Sequence, residues 1–192
     1  MLRMWRILKE RRNKRCAAPA CRRVDQPVRT FAIVTVMKAR RKARTIALQA
    51  LYEIDCTDHS PELVVEQRLV EQPLDDELTV FARQLVVGVM AQTPTLDKLI
   101  QEHAPEWPLD QMALIDRNIL RIAIWEFAGA RQTPIKVAIN EAVELAKLYG
   151  SDSAPRFVNG VLGALATRQA DMLQAFGHSP AAELPNDEED AG

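Results

Sequence analysis

Four times between residues 60 and 155 the chain places a hydroxyl side chain just ahead of a proline: Ser60-Pro61, Thr93-Pro94, Thr133-Pro134, and Ser153 before Ala154-Pro155. A serine or threonine at such a point can cap the bare N–H groups of a helix. Proline suits the first turn, where its missing N–H would have had no partner. Asp110, after Trp107-Pro108, offers a fifth start of the same kind. Between these starts the apolar residues recur at steps of three and four. Leu78, Phe81, Ala82, Leu85 and Val89 share one face, as do Ile135, Ala138, Ala142, Val143 and Ala146 ahead of Gly150, which suits a helix end. Phe157, Val158, Val161, Leu162 and Leu165 mark a third such face. Glycine is scarce, with 7 in 192 residues, and the alternation expected of strands is missing.

The reading is an all-α chain of about seven helices, near residues 39–55, 61–71, 75–92, 94–103, 110–130, 134–149 and 154–170. The run from Ile119 to Phe127 is apolar enough for a buried strand, but its pattern reaches back to Met112, too far for one. A helix apolar on most sides belongs at the centre of a bundle.

Charge divides the chain unevenly. Residues 1–44 hold 15 Lys and Arg against 2 acids, whereas the remainder holds 10 and 24. Such asymmetry points to a basic arm that meets nucleic acid or another polyanion. Residues 1–36 form a basic leader too charged for a signal peptide. Its arginine bias resembles a transit peptide, but the expectation is a disordered segment, or an artefact of start assignment with translation beginning at Met37. Residues 37–175 are the helical domain, and residues 176–192 an acidic disordered tail with Asp187, Glu188, Glu189 and Asp190. Cys16, Cys21 and Cys56 form no disulfide framework, and His59, His103 and His178 are scattered, so neither a metal site nor a cofactor is expected. No apolar run approaches a membrane span, and a reducing, cytoplasmic location is expected.

The densest positive charge, Lys38, Arg40, Arg41, Lys42 and Arg44, stands where the first helix begins. That end of a helix is already electropositive, so the arrangement costs stability unless an anion arrives. At 100° per residue, Ala43, Ala47, Ala50, Leu51 and Ile54 gather on a core face. Lys38, Lys42, Thr45, Gln49 and Tyr52 gather opposite them, with Arg41 alongside. Cations for phosphates, an amide for a base edge and a ring for stacking make a coherent single-strand RNA surface. DNA or another polyanion would also fit, and so would a solvated face with Tyr52 half packed against a neighbour. In SDSAPRFVNG, residues 151–160, Arg156 and Phe157 fall in the first turn of the last long helix, where backbone N–H groups can receive a phosphate. Equally, Phe157 reads as core and Arg156 as a surface charge. Catalytic motifs are missing: there is no GxSxG, P-loop, GxGxxG or paired His or Cys constellation. Asp75-Asp76-Glu77 reads as the charged start of a helix.

From Met37 to about residue 170 the chain resembles the bacterial transcription antitermination factors of the NusB family. The resemblance rests on ARRKAR with ALQALY, on LRIAIWEF, and on PIKVAINEAVELAKLYGSDSAPRFVNGVLGAL. It implies two three-helix subdomains packed together and no catalytic activity. It further implies pairing with NusE, a small-subunit ribosomal protein, and binding of boxA RNA from ribosomal RNA operons within an RNA polymerase antitermination complex. Lys38, Arg40, Arg41, Lys42 and Arg44 match the family's arginine-rich RNA contact, Tyr52 its ALY tyrosine with Gln49 nearby, and Arg156-Phe157 its basic-Phe-Val-Asn-Gly motif. Asp110 and Asp116 match acidic positions towards NusE. Homodimers occur in the family. The alternatives are a helical adaptor for proteins alone, or the NusB-like domain of ribosomal RNA methyltransferases, which needs a separate cofactor-binding domain.

Overall fold

The structure is a computed structural model that describes residues 28–177. The leader up to residue 27, with Cys16 and Cys21, and the acidic stretch from residue 178 onward lie outside the described residues. Among the described residues the secondary structure is entirely helical: α1 (Val28–Cys56), α2 (Pro61–Glu71), α3 (Asp76–His103), α4 (Leu114–Ile124), a π turn (Trp125–Gly129), α5 (Ile135–Tyr149), α6 (Ala154–Ala166) and α7 (Gln169–Ala175). The all-α expectation therefore holds. Two compact units divide the chain, one ending at Arg41 and the other running from Lys42.

Several boundaries differ from the sequence reading. Helix α1 begins at Val28, ahead of the expected start near residue 39. Helix α3 continues through Pro94, where a new helix was expected. Pro94 is exposed there, and the Thr93 hydroxyl, read as a cap, instead donates to the Val89 carbonyl at 2.8 Å. The carbonyl four residues before the proline is that of Met90, at a solvent-facing position, where water can replace the lost partner. Apolar faces on both sides of Pro94 then hold the helix together, with Leu85 and Val89 buried before it and Leu96 and Ile100 after. Asp110 caps nothing: it lies exposed in the preceding turn, and α4 begins at Leu114 with Ala113 ahead of it. Thr133 is buried one residue before the cap position, which Pro134 takes. Helix α7 was not expected as a separate element.

Within the second unit the helices sort into two groups of three. The 42–56 stretch of α1 is tied to α2 and the loop after it by Lys42 to Pro73 (2.8 Å), Gln49 to Gln72 (2.9 Å) and Glu53 to Arg68. Helix α2 joins α3 through Glu66 and Arg83 (2.6 Å). Helices α4, α5 and α6 pack on one another, and α4 also lies against α3. Every residue from Ala43 to Leu51 is buried. Burial of the aliphatic side chains supplies the main driving force, of order 1.5–3 kcal/mol for each large one.

Trp125 fills the seam between α3 and the π turn. Its indole lies against two glycines: a methyl group at Gly88 would stand 2.1 Å from its ring, and one at Gly129 also 2.1 Å. Phe176 meets the same ring edge-on at 6.1 Å. With the indole in close contact at Gly88 and Gly129 and met edge-on by Phe176, Gly88→Ala is expected to destabilise by about 1–3 kcal/mol through overpacking, despite alanine's better helix propensity. Gly163, in α6, has open space around it. There the same change is expected to stabilise by up to about 1 kcal/mol. Urea unfolding of the two variants checks both signs.

Candidate nucleic-acid interface

Helix α1 places the candidate cations unequally. Lys38 and Lys42 are exposed, and Arg40 and Arg41 are partly so. Lys42 is anchored by its bond to the Pro73 carbonyl, which leaves two ammonium protons for other acceptors. Arg44 does not belong to this surface. Its side chain is 3% exposed and forms a two-pronged pair with Glu126, Nε to Oε2 and Nη2 to Oε1, both at 2.8 Å. Glu141 stands 3.5 Å from its third nitrogen, and the guanidinium lies over the Phe81 ring at 5.4 Å. The Thr133 hydroxyl donates to Glu126 at 2.8 Å. A phosphate cannot reach Arg44 without dismantling this cluster, so its assignment as an RNA contact is corrected.

The helical-wheel face fails beyond Lys42 for a related reason. Thr45 and Gln49 are each 7% exposed, and the Gln49 amide oxygen already accepts from Gln72. Tyr52 is half-buried. Burial, followed by the charge and hydrogen bond of Cys56, raises its phenol above the usual value, so it stays neutral at physiological pH. Exposed positive charge on α1 therefore ends at Lys42, and the amide expected to read a base is internal.

At the start of α6, Arg156 is exposed and Phe157 half-buried. The backbone there is not free to hold an anion. The N–H of Ala154 donates to Ser151 at 3.1 Å, and those of Arg156 and Phe157 both donate to Ser153 at 3.1 Å. Pro155 has none. Any anion here must be held by the Arg156 side chain, which corrects the expectation of backbone recognition. The ring of Phe157 packs edge-on against Trp107 at 5.8 Å, and Trp107 is 56% exposed. The loop holding Trp107 is fixed by its own N–H to Ala104 (3.0 Å), by Gln101 accepting from Leu109 (3.2 Å), and by Arg117 donating to the Leu109 carbonyl (3.2 Å). Sequence reasoning passed over Trp107. Its only signal was a large aromatic residue between Pro105 and Pro108 in a polar turn.

The two acidic candidates differ. Asp110 is exposed. Asp116 is 9% exposed, and its Oδ1 is buried with no hydrogen-bond partner, beside the backbone of Gly150. Desolvation raises its carboxyl above the ordinary aspartate value. Its burial argues against a direct contact with a partner surface. A second internal cluster joins α1, α3 and α4: Arg121 grips Asp97 through two 2.7 Å bonds, and Asn118 donates to Asp55 at 3.0 Å. Among the described residues no group of three or more His, Cys, Asp or Glu is placed to hold a metal. No described helix is long and apolar enough to cross a membrane.

Fold and surface together define an all-helical protein built around buried arginine–carboxylate pairs, with exposed cations on α1 and at the start of α6 and an exposed indole in the loop between α3 and α4. A family model described as the NusB family matches residues 41–167. The transcription antitermination protein NusB of Roseiflexus sp. (strain RS-1) is 53% identical over 131 residues, 67% of this chain and 92% of that protein. The NusB of Bacillus subtilis (strain 168) is 47% identical over 123 residues, 64% of this chain and 91% of its own. Among solved structures, T. maritima NusB superposes with a TM-score of 0.61 at 31% identity, covering 73% of this chain and 93% of that one. A crystal structure of antitermination factors NusB and NusE in complex with dsRNA gives 0.63 at 26% identity, covering 69% and 98%. The chain belongs to the NusB family of transcription antitermination proteins.

Two stability measurements follow from the buried charges. Arg44→Ala strands Glu126 and Glu141 without their counter-ion and is expected to cost about 3–5 kcal/mol in urea unfolding. Lys42→Ala, at the exposed neighbouring cation, is expected to cost under about 1 kcal/mol. For Asp116, a folded pKa above the unfolded one means the folded state binds more protons in the interval between them, so stability falls as pH rises through it. Asp116→Asn is therefore expected to be more stable than the parent at pH 7. The gain should vanish below about pH 3, where both states of the parent are protonated; unfolding curves across pH read it directly.

Proposed function

We propose that this protein is a non-enzymatic RNA-binding antitermination factor that pairs with NusE and binds boxA RNA of ribosomal RNA operons, in the cytoplasm and as part of an RNA polymerase antitermination complex. The observation that carries this reading is the 53% identity to a transcription antitermination protein across 92% of that protein's length. A NusB structure solved with NusE and dsRNA, similar over 98% of its chain, supports the choice of partners.

In this reading phosphates meet Lys38, Arg40, Arg41 and Lys42 on α1 and the Arg156 side chain on α6. Bases stack on exposed Trp107 and on the accessible parts of half-buried Phe157 and Tyr52. Trp107 joins Phe157 and Tyr52 in that role, since an unstacked base finds a fixed indole face there. Arg44 and Gln49 act indirectly, by holding α1 in place. Asp110 remains a candidate contact for NusE, and a homodimer is a further state of the same protein, to be read by light scattering with and without RNA.

The test is a gel shift of a boxA oligonucleotide with and without NusE. A shift that moves further when NusE is added is expected. About five phosphate contacts give log K against log salt a slope of about −3.5 for single-stranded RNA. Arg41→Glu combined with Lys42→Glu is expected to abolish the shift with the helical circular dichroism intact. Trp107→Ala is expected to weaken binding by about 1–3 kcal/mol, the worth of one stacked base. Binding indifferent to salt and to the double variant would remove the basic stretch of α1 from the site.

A further inference from the structure

Among the described residues seven large hydrophobic side chains are exposed, and five of them lie on α2 and α3: Leu63, Val70, Val80, Val87 and Met90. Their spacing is regular. Leu63 and Val70 are seven residues apart on α2, and Val80 and Val87 are seven apart on α3. Each pair thus repeats on one helix face after two turns, about 10.5 Å along the axis. A short loop joins the two helices, and the Glu66–Arg83 ion pair (2.6 Å) sets their register. With Glu66 opposite Arg83 in an antiparallel hairpin, Val70 stands opposite Val80 and Leu63 opposite Val87. The result is two rungs of branched aliphatic side chains with an ion pair between them. These side chains are 62%, 77%, 52% and 66% exposed for Leu63, Val70, Val80 and Val87. Exposed aliphatics scattered singly need no explanation, but a contiguous set in register marks an interaction surface.

Charge selects the occupant. Residues 61–87 carry six acids, Glu62, Glu66, Glu71, Asp75, Asp76 and Glu77, all at exposed positions. Their only two cations, Arg68 and Arg83, are paired, with Glu53 and Glu71 and with Glu66 respectively. Four of the acids crowd the loop end of the hairpin, beside Val70 and Val80. Such a surface repels phosphate and so disfavours RNA. A second copy of the same hairpin would bring acid against acid. We propose that the outer face of the α2–α3 hairpin docks a basic amphipathic helix of a protein partner. Aliphatic side chains of that helix, repeating every seven residues, would fill the rungs, and its Lys or Arg would meet the loop-end acids. Lys42, one of the RNA contacts proposed above, bonds the Pro73 carbonyl in the loop of this hairpin, so the face borders that contact at its loop end.

The probe is a fluorescein-labelled synthetic helix of 21 residues with leucine at heptad a and d positions and lysine or arginine elsewhere. A control peptide keeps the leucines and carries glutamate in place of the bases. The full chain is expected to bind the basic peptide in fluorescence anisotropy near physiological salt and to ignore the acidic one. Leu63→Ser with Val87→Ser removes one of the two apolar rungs and leaves every acid; it should weaken binding at least about tenfold. Asp76→Lys with Glu77→Lys should weaken it comparably. Leu63 and Val87 are exposed, so the serine pair should melt with the parent and bind boxA RNA as it does. The lysine pair removes acids from the first turn of α3, and circular dichroism at the assay temperature checks that it remains folded. Equal affinity for the acidic peptide, or indifference to the serine pair, would overturn the proposal. So would a dimer in sedimentation equilibrium that the serine pair dissociates, since that assigns the face to a second copy.

Discussion

The guanidinium of Arg44 is the charge around which this fold is arranged. It is carried by α1, sits in a region where solvent does not reach, and is matched by carboxylates from the π turn and from α5. An ion in such a place is costly unless its hydrogen-bonding positions are met. Here two prongs go to Glu126, the third nitrogen faces Glu141, and the flat face lies over Phe81. One side chain thus fixes how α1, α3, the π turn and α5 meet. The π turn has a place in this. The N–H of Ala130 reaches back five residues to Trp125 at 2.7 Å, and this turn carries Glu126 to Arg44 while Trp125 lies against Gly88 and Gly129. The chain leaves the turn through Arg131 in the left-handed region, with φ of 53°, which ends the helical run where glycine would ordinarily serve.

Apolar periodicity revealed most of the fold because most of the core is apolar. Ala43, Ala47, Ala50 and Leu51 are buried as their spacing implied, and so are Leu78, Phe81, Ala82, Leu85 and Val89. The errors share a cause. Periodicity assigns polar residues to solvent, and α1 from Ala43 to Leu51 is buried on all sides. Thr45 and Gln49 therefore fall on an outer face that the helix lacks between Ala43 and Leu51, and Arg44 enters the candidate surface through the local density of bases and the family resemblance. What distinguishes a buried arginine from a phosphate-binding one is its partner, and Glu126 lies 82 residues away in sequence. The one local clue was that Arg121 and Glu126 interrupt an otherwise apolar run. The hydroxyl-proline starts were legible as positions at Ser60 and Ser153, which precede α2 and α6, although neither hydroxyl caps a backbone N–H: Ser60 donates to Glu62, and Ser153 meets the Ser151 hydroxyl. They misled at Thr93, whose hydroxyl bonds back into its own helix, and at Thr133, whose hydroxyl serves Glu126.

The candidate surface was legible in its charge and not in its rings. Local sequence density alone picks out Lys38 to Lys42. Trp107 and Phe157 lie fifty residues apart, and each on its own reads as core or turn. Only the fold brings them to 5.8 Å and leaves the indole more than half exposed. The same fold removes an attraction that the sequence offered. The first turn of α6 looked like an anion seat, but Ser151 and Ser153 accept the N–H groups of Ala154, Arg156 and Phe157. A helix start attracts an anion through bare N–H groups, so this one contributes a guanidinium and a ring and no backbone cradle.

Sorting charges by what they touch changes the meaning of the chain's lopsided composition. Taken as a total, the acids beyond residue 44 outnumber the bases by 14 and look like a uniformly negative body. In the fold they serve three different ends. Glu126 and Glu141 are spent inside on Arg44, where they decide packing and have little reach into solvent, and half-buried Asp97 is neutralised by Arg121. Glu53 restrains Arg68 at the α1–α2 junction. The acids of the α2–α3 hairpin face water beside aliphatic side chains. Among the described residues Asp58, Glu102, Glu106, Asp110 and Asp152 also face water, but the hairpin acids form the densest set, and their field is opposite in sign to the one from Lys38 and Lys42. A polyanion would accordingly be drawn to the exposed cations and a basic protein to the hairpin acids.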